Sequence, residues 1–223
     1  MTRSIPSESM PDRQTGLHTG FDRELSIAVR LAREAGQIIE TFYQVPTIVK
    51  WKDPTDPVTE ADRAANAYLV KQLALSFPDD GILAEESKDD LARLDKRRVW
   101  IVDPLDGTVE FIARNGQFSV MVGLVFDGQP VVGVVYQPVG DVLFAAARGG
   151  GAFVEEFGER QALHVSTECE PASLRPVVSG SHRPTILDDL LGGLGVQKER
   201  VVGSVGLKIG LLARGQVEFY LHP

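Results

Sequence analysis

Apolar residues recur at intervals of three and four positions in two segments of the chain, which predicts two long helices. The first segment carries its apolar face at Leu25, Ile27, Ala28, Leu31, Ala35, Ile38, Ile39 and Phe42. The second begins where Thr59 is followed three residues later by Asp62, a spacing typical of a helix N-terminus. Apolar residues then continue this second amphipathic face to about Ser76.

Short apolar runs between turn residues predict the strands. Val99 to Val102 indicates a buried strand, and Ile48 to Trp51 a shorter one that leads into a loop from Lys52 to Pro57. Three further runs are separated by turns rich in Gly, Pro and Asp, which favours an antiparallel meander. These runs are Phe118 to Phe126, Val131 to Tyr136 and Val142 to Ala147. Gly149 to Gly151 is interpreted as a flexible turn, because the helix that follows a phosphate-binding loop is missing.

The last part of the chain alternates between strand and helix patterns. A strand at Val177 and Val178 precedes a helix from about Thr185 to Leu191, and a second helix from Leu207 to Arg214 precedes a strand from Val217 to Leu221. We therefore expect an α/β half beside an α+β half. The predicted organisation is a disordered leader over 1–20, an α+β subdomain over 21–170 and an α/β subdomain over 171–223.

Composition narrows the class of protein. The 223 residues include 43% hydrophobic and 24% charged residues, which is ordinary for a globular protein. The net charge of −8 argues against a nucleic-acid polymer as partner, because no basic stripe is present. Cys169 is the single cysteine, so an internal disulfide is excluded. No apolar run is long enough to span a membrane, and we expect a cytoplasmic protein without membrane contact.

Candidate chemistry first appears directly after the strand at Val99. Asp103 and Asp106 lie three positions apart, and Pro104 between them should make the chain leave the sheet. Gly107 allows close backbone approach, and Thr108 adds a hydroxyl group. Carboxylate oxygens at such a turn suit Mg²⁺ together with a phosphate group. The simpler interpretation is that both aspartates cap a turn.

Two further acidic clusters lie upstream. One runs from Asp56 to Asp62, where Asp62 would occupy the first turn of the second helix. The other is Glu85 beside Glu86, after a short apolar strand. A capping role for Asp62 and a solvated pair at Glu85 are the simpler interpretations. The adjacent carboxylates at Glu85 and Glu86 repel each other unless a cation or water screens them. Chance explains poorly that three acidic clusters each lie next to a predicted strand or helix end.

The three motifs together resemble the inositol monophosphatase superfamily of Mg²⁺-dependent phosphatases. The matching segments are Asp56 to Asp62, Ala84 to Ser87 and Trp100 to Thr108. The continuation from Glu110 to Phe118 is similar to the CysQ branch, the 3'(2'),5'-bisphosphate nucleotidases. The resemblance implies a layered αβαβα sandwich of the sugar-phosphatase type. It also implies two subdomains with the active site between them.

The resemblance further implies the roles of the acidic residues. Two or three Mg²⁺ ions would be held by Glu85, Asp103, the Leu105 carbonyl group and Asp106. Thr108 and Asp62 would orient and deprotonate the attacking water, a coherent pair because a hydroxyl group can accept from water while donating to a carboxylate. Glu85 would assist catalysis as well as bind metal.

The substrate is expected to be a small phosphorylated metabolite, with adenosine 3',5'-bisphosphate favoured. The residues expected to contact it are Asp106, Gly107, Thr108, His182, Ser204 and Lys208. A surface histidine at 182 and an ordinary helix lysine at 208 are comparably good interpretations. An inositol phosphatase, a broad-specificity sugar phosphatase and a catalytically silent phosphometabolite-binding protein are the alternative functions.

The end of the sequence modifies this expectation. Family members carry a later Trp-Asp motif whose aspartate binds metal, and no such motif occurs before Pro223. We therefore expect the second subdomain to be incomplete and one metal site to lack a ligand. The resemblance also allows for a homodimer, although no residue pattern specifies its interface.

Overall fold

The computed structural model describes residues 20–45, 49–53, 56–180, 186–196 and 199–221, without the side chains of Lys52, Asp53 and Asp56. Apart from Gly20, the predicted leader lies outside the described residues, and so does His182. Within the described part of the chain, no helix combines the length and apolar character that crossing a membrane requires.

Both predicted long helices are present. Helix α1 spans Asp22–Tyr43, and helix α2 spans Glu60–Ser76; a short helix α3 spans Thr108–Ile112. Thr59 begins α2 with a capping box, in which its side chain accepts from the first-turn amides while Asp62 accepts from the Thr59 amide. The inner face of α1 is fully buried at Ala28, Leu31, Ala32, Ala35 and Ile39.

A seven-stranded sheet carries the centre of the fold. Its order is β3-β4-β5-β6-β7-β8-β9, and only the β3–β4 pair is parallel. The predicted meander is confirmed, and two strands that the sequence pattern did not indicate extend it. The strands are β3 (Gly81–Ala84), β4 (Arg98–Asp106), β5 (Ser119–Phe126), β6 (Gln129–Gln137), β7 (Val142–Ala147), β8 (Gly151–Glu156) and β9 (Glu159–Ala162).

The loop predicted from Lys52 to Pro57 is wrong. Strand β1 spans Val49–Asp53 and pairs antiparallel with β2, which spans Asp56–Thr59, so this segment forms a hairpin that leads directly into α2. The sequence pattern missed the hairpin because β2 contains Pro57, which weakens a strand prediction. Proline is tolerated in this two-stranded sheet, since an edge strand needs only part of its hydrogen bonds.

The predicted departure from the sheet at Pro104 is also wrong. Strand β4 continues to Asp106, and it pairs Asp103 with Met121 but Asp106 with Ser119. Three steps along β4 therefore match two steps along β5, which is the signature of a β-bulge. A bulge leaves a residue unpaired in the ladder, so the missing N–H of Pro104 does not end the strand.

The last part of the chain forms a small parallel sheet of order β11-β10-β12 with one helix on each face. Its elements are β10 (Pro176–Val178), α4 (Ile186–Gly193), β11 (Arg200–Val201), α5 (Val205–Ala213) and β12 (Phe219–Tyr220). Strand β12 is shorter than the predicted strand from Val217 to Leu221. Val177 packs with Leu207 of α5, while Val178 packs with Leu187 of α4, because successive side chains of a strand face opposite sides.

Five layers result from this packing. Tyr136 of β6 contacts Gly36 of α1, whereas the neighbouring Val135 faces Gly206 of α5 on the other side of the same strand. The large sheet thus lies between the α1 and α2 layer and α5, and the small sheet lies between α5 and α4. The expected αβαβα sandwich is confirmed. The bounds predicted for the two subdomains stay a prediction.

Candidate active site

The carboxyl ends of two parallel strands bring together acidic residues that are 18 positions apart in the chain. Ala84 of β3 is in register with Val102 of β4, and the Glu85 amide donates to the Val102 carbonyl over 3.1 Å. Glu85 and Asp103 therefore follow their strands side by side. Their carboxyl groups are in hydrogen-bond contact with each other.

This proximity changes the protonation of Asp103. Burial first, and then the charges of Glu85 and Asp106, raise the pKa of Asp103 to about 9. The Leu105 amide donates to Asp103 over 3.1 Å and partly offsets this rise. Two carboxyl groups in contact cannot both stay ionised without a counter-charge, so the pair requires either a shared proton or a cation.

The carboxyl oxygens of Glu85 and Asp103 suit a hard cation, although they do not form a complete coordination shell. Among the described residues, no group of three or more His, Cys, Asp or Glu side chains is arranged closely enough to hold a metal ion alone. Mg²⁺ usually takes only one or two carboxylates and completes its shell with water and substrate phosphate. The Glu85–Asp103 pair therefore fits Mg²⁺ better than it fits a cation that needs a complete protein cage.

The Asp106 carboxylate lies close enough to Asp103 to raise its pKa, and both of its oxygen atoms also accept hydrogen bonds from the start of α5. Its Oδ1 atom accepts from the Val205 amide over 3.0 Å, and its Oδ2 atom accepts from the Gly206 amide over 2.8 Å. The hydroxyl groups of Ser119 and Ser204 also donate to Oδ2, the former over 3.2 Å. The Asp106 carboxylate thus joins the end of β4 to the first turn of α5, where negative charge is favourable.

Asp62 and Thr108 form a second pair of interacting side chains. Thr108 begins the short helix α3 (Thr108–Ile112), and its hydroxyl lies 3.1 Å from Asp62 Oδ1 and 3.2 Å from the Leu105 carbonyl oxygen. The other Asp62 oxygen accepts from the amide and hydroxyl groups of Thr59. Burial raises the pKa of Asp62, while the hydrogen bonds from Thr59 and Thr108 oppose this rise. Asp62 is therefore both a helix-capping residue and a partner of Thr108, and the two interpretations do not exclude each other.

Gly107 allows the turn after β4 to pack closely against the backbone at Gln117. Its φ angle of 97° lies in the left-handed region, and a Cβ atom at this position would lie 2.9 Å from the Gln117 carbonyl oxygen. Another residue would therefore be strained and would also collide with backbone. The glycine lets the turn after β4 pack tightly before α3 begins.

Ser204 and Lys208 extend the site from the second part of the chain. Ser204 has a φ angle of 54°, a strained conformation for a residue with a side chain, and it caps α5 by accepting from the Leu207 amide over 3.1 Å. Lys208 is only 2% exposed, and its ammonium group lies 4.9 Å from the centre of the Tyr220 ring. Burial lowers the pKa of Lys208, while the charges of Asp106 and Glu110 act in the opposite direction. An exposed helix lysine is therefore the wrong interpretation of this residue.

Several residues that contact the site were not assigned from the sequence. Ser119 binds Asp106, the Gln117 side chain accepts from the Gly203 amide over 2.7 Å, and the buried Glu110 fills the space beside Gly203. All three lie in or just after the segment that resembles the CysQ branch. No local pattern shows that this segment meets a loop some 85 residues later.

Comparison with known proteins identifies the family of this chain. A model of the inositol monophosphatase family matches residues 22–223. The 3'(2'),5'-bisphosphate nucleotidase CysQ of Escherichia coli (strain K12) is 40% identical over 194 residues, which cover 86% of this chain and 77% of that protein.

Solved structures show the same fold. The extragenic suppressor protein suhB from Bartonella henselae superposes with a TM-score of 0.79 at 30% identity, covering 89% of this chain and 78% of that one. CysQ from Bacteroides thetaiotaomicron, a bacterial member of the inositol monophosphatase family, gives a TM-score of 0.74 at 30% identity. That match covers 90% of this chain and 79% of the other.

Proposed function

Because the chain belongs to the inositol monophosphatase family and is a phosphatase, we propose that it is a Mg²⁺-dependent hydrolase of adenosine 3',5'-bisphosphate that removes the 3'-phosphate. The nucleotide substrate is supported by the 40% identity to a bisphosphate nucleotidase over most of the chain. The mechanism is supported by the arrangement of side chains at the ends of β3 and β4.

The Thr108–Asp62 contact is the observation that carries the proposal. A hydroxyl 3.1 Å from a buried carboxylate can pass a proton to it while accepting a hydrogen bond from water. Thr108 follows directly after the end of β4, where its hydroxyl group contacts the Leu105 carbonyl oxygen, so Asp62 is held next to the segment that carries Asp103 and Asp106. A proton-accepting pair beside clustered carboxylates is what hydrolysis by an activated water requires.

Two or three Mg²⁺ ions would be held by Glu85, Asp103, the Leu105 carbonyl group and Asp106. When bound, Mg²⁺ would lower the pKa of a water molecule and neutralise negative charge on the phosphate. It would also replace the proton that the Glu85–Asp103 pair otherwise shares.

The protein groups then supply orientation and proton transfer. Thr108 positions the attacking water by accepting from it, and Asp62 receives the proton through the Thr108 hydroxyl. Asp62 can act as a base because Thr59 holds its second oxygen and keeps the carboxylate aimed at Thr108. Water attacks phosphorus in line with the 3'-oxygen, the bond between phosphorus and that oxygen breaks, and the oxygen takes a proton from solvent to leave as the 3'-hydroxyl group. No covalent bond between enzyme and phosphate is needed.

The substrate would be bound from both parts of the chain. The amides of Gly107 and Thr108 would contact the reacting phosphate, and Asp106 and Ser204 would contact the sugar. Lys208 would attract the second phosphate group, because its buried charge is little screened by water. His182, which lies outside the described residues, is proposed to contact the nucleotide.

Phosphate release tests the proposal directly. The purified protein should release phosphate from adenosine 3',5'-bisphosphate with Mg²⁺ and lose this activity with EDTA. Asp103→Asn should abolish turnover, whereas Asp127→Asn should not, because Asp127 pairs with Arg97 at the opposite end of β4 and β5. Turnover that needs no divalent ion, or that survives in Asp103→Asn, would refute the ligand assignment.

The same assay separates the alternatives. Faster release from inositol 1-phosphate than from the bisphosphate would move the assignment to an inositol phosphatase. Tight nucleotide binding without turnover would identify a phosphometabolite-binding protein instead.

A further inference from the structure

The hydroxyl group of Ser119 lies at the junction of the metal-binding turn and α5. We propose that Ser119 is a positioning residue, which fixes the Asp106 carboxylate together with Ser204 and thereby sets the geometry of the metal and substrate groups. The inference rests on the proposed function for its catalytic consequences. The structural part of the proposal, that Ser119 links β5 to the first turn of α5, does not depend on which substrate is used.

Three contacts define the junction. Ser119 Oγ lies 3.2 Å from Asp106 Oδ2 and 3.0 Å from Ser204 Oγ, and Ser204 Oγ itself donates to the same carboxylate oxygen. Ser119 is also the β5 residue paired with Asp106 across the β-bulge. Backbone pairing and side-chain hydrogen bonding therefore act on the same carboxylate.

The hydrogen bonds of this network are directed towards the Asp106 carboxylate. Each hydroxyl group has a single proton, and the Ser204 proton is directed to Asp106, while Ser204 Oγ accepts from the Leu207 amide. The Ser119 proton then points either to Asp106 or to Ser204, and in both cases it supports the carboxylate as acceptor. Without the Ser119 hydroxyl group, Asp106 Oδ2 keeps its hydrogen bonds from Ser204 and from the Gly206 amide.

Burial and packing argue against an incidental serine. Ser119 is completely buried, and a buried hydroxyl group is unfavourable unless it is hydrogen-bonded. A Cβ atom on Gly206 would lie 2.6 Å from Ser119 Oγ, so the first turn of α5 rests directly on this hydroxyl. Ser119 thus contacts both the carboxylate and the helix that the carboxylate caps.

Three variants test the proposal: Ser119→Ala removes the hydroxyl group, Ser119→Thr keeps it, and Val122→Ala is the matched control. Val122 is a buried residue of the same strand. Because Met121 faces Gly206 of α5 and successive side chains of a strand face opposite sides, Val122 lies on the α1 side of the sheet. The control therefore weakens the strand by a cavity without touching the junction.

Two readouts do not require turnover. In hydrogen exchange of the metal-free protein, Ser119→Ala should speed exchange of the Val205 and Gly206 amides about tenfold, as expected for the loss of one hydrogen bond to a charged acceptor. Binding of Mn²⁺, followed by electron paramagnetic resonance, should weaken about 10- to 100-fold, the usual effect of removing a partner of a metal ligand. Ser119→Thr should restore both values, and Val122→Ala should leave both within about twofold of the original protein.

The outcomes separate the two proposals. Unchanged amide exchange and Mn²⁺ affinity in Ser119→Ala would overturn the positioning role. If the original protein neither binds Mn²⁺ nor releases phosphate, the proposed function fails, and the exchange experiment alone decides the role of Ser119. Equal losses in Ser119→Ala and Val122→Ala would also overturn the proposal, because they would indicate general destabilisation.

Discussion

Replacing Thr108 by valine tests the proton-accepting pair with almost no change in side-chain shape. The variant removes the hydroxyl that lies 3.1 Å from Asp62 Oδ1 and leaves the two hydrogen bonds from Thr59 to the other carboxylate oxygen. Burial already raises the pKa of Asp62, and the Thr108 hydrogen bond opposes that rise. We therefore expect the Asp62 pKa to increase further in Thr108→Val.

The magnitude follows from the single hydrogen bond that is lost. A hydrogen bond to a charged group contributes about 1.5–3 kcal/mol, and about 1.4 kcal/mol corresponds to one pKa unit. The Thr108 hydroxyl also contacts the Leu105 carbonyl oxygen, so its proton is shared and the lower value applies. The expected increase is about one pKa unit.

The assay is the pH dependence of kcat/KM for phosphate release. A base works only when ionised, so activity falls as the pH drops through the pKa of Asp62, and a higher pKa moves this acidic limb to higher pH. In Thr108→Val the limb should move up by about one unit, and the plateau should fall about 100-fold because the relay hydroxyl is missing.

Two controls make the result decisive. Thr108→Ser keeps the hydroxyl and should retain the original limb, while Thr41→Val removes an exposed helix hydroxyl that donates to the Ile38 carbonyl and should change nothing in the profile. An unmoved acidic limb together with a plateau within twofold of the original protein would refute the role of the Thr108–Asp62 pair.

Three further predictions concern the carboxyl cluster, the core and the buried lysine. With EDTA present, Asp103 keeps its proton in the folded chain up to a pKa of about 9, whereas in the unfolded chain it releases the proton near the ordinary pKa of 3.8. Folding is therefore progressively destabilised as the pH rises from about 4 to 9, because the folded chain holds a proton that the unfolded chain has lost. The melting temperature should therefore fall less steeply between pH 6 and 9.5 in Asp103→Asn than in the original protein, and equal slopes would contradict the shift. Gly36→Ala should destabilise the protein to urea by about 1–3 kcal/mol, because a Cβ atom there would lie 2.5 Å from the Tyr136 ring, whereas Gly192→Ala in open space should stabilise it by about 0.5–1 kcal/mol. Lys208→Met should raise KM for adenosine 3',5'-bisphosphate about tenfold with a smaller effect on kcat, and steady-state kinetics that show an unchanged KM would remove Lys208 from the substrate site.

Local patterns predicted the elements whose stability depends on nearby residues. The apolar face of α1, the Thr59 capping box of α2 and the meander from β5 to β7 all follow from interactions within a few positions. The β1–β2 hairpin was missed, and the end of β4 was placed too early, because Pro57 and Pro104 weaken a strand pattern. Both strands persist through their pairing partners, which local sequence does not identify.

The candidate active site, like the fold, has features that local sequence predicts and features that it does not. From the motifs around Glu85, Asp103, Asp106, Thr108 and Asp62, the sequence alone determined that the chain belongs to the inositol monophosphatase family, and the family match over residues 22–223 confirms this. The shared chemistry of these five residues stays a prediction. Only the tertiary structure decided that Glu85 contacts Asp103, that Asp106 turns towards α5 and that Lys208 is buried. Short motifs encode the chemical type of a side chain, whereas its partners are set by strand register and by packing between layers, which bring Asp106 to Gly206, 100 positions away in the chain.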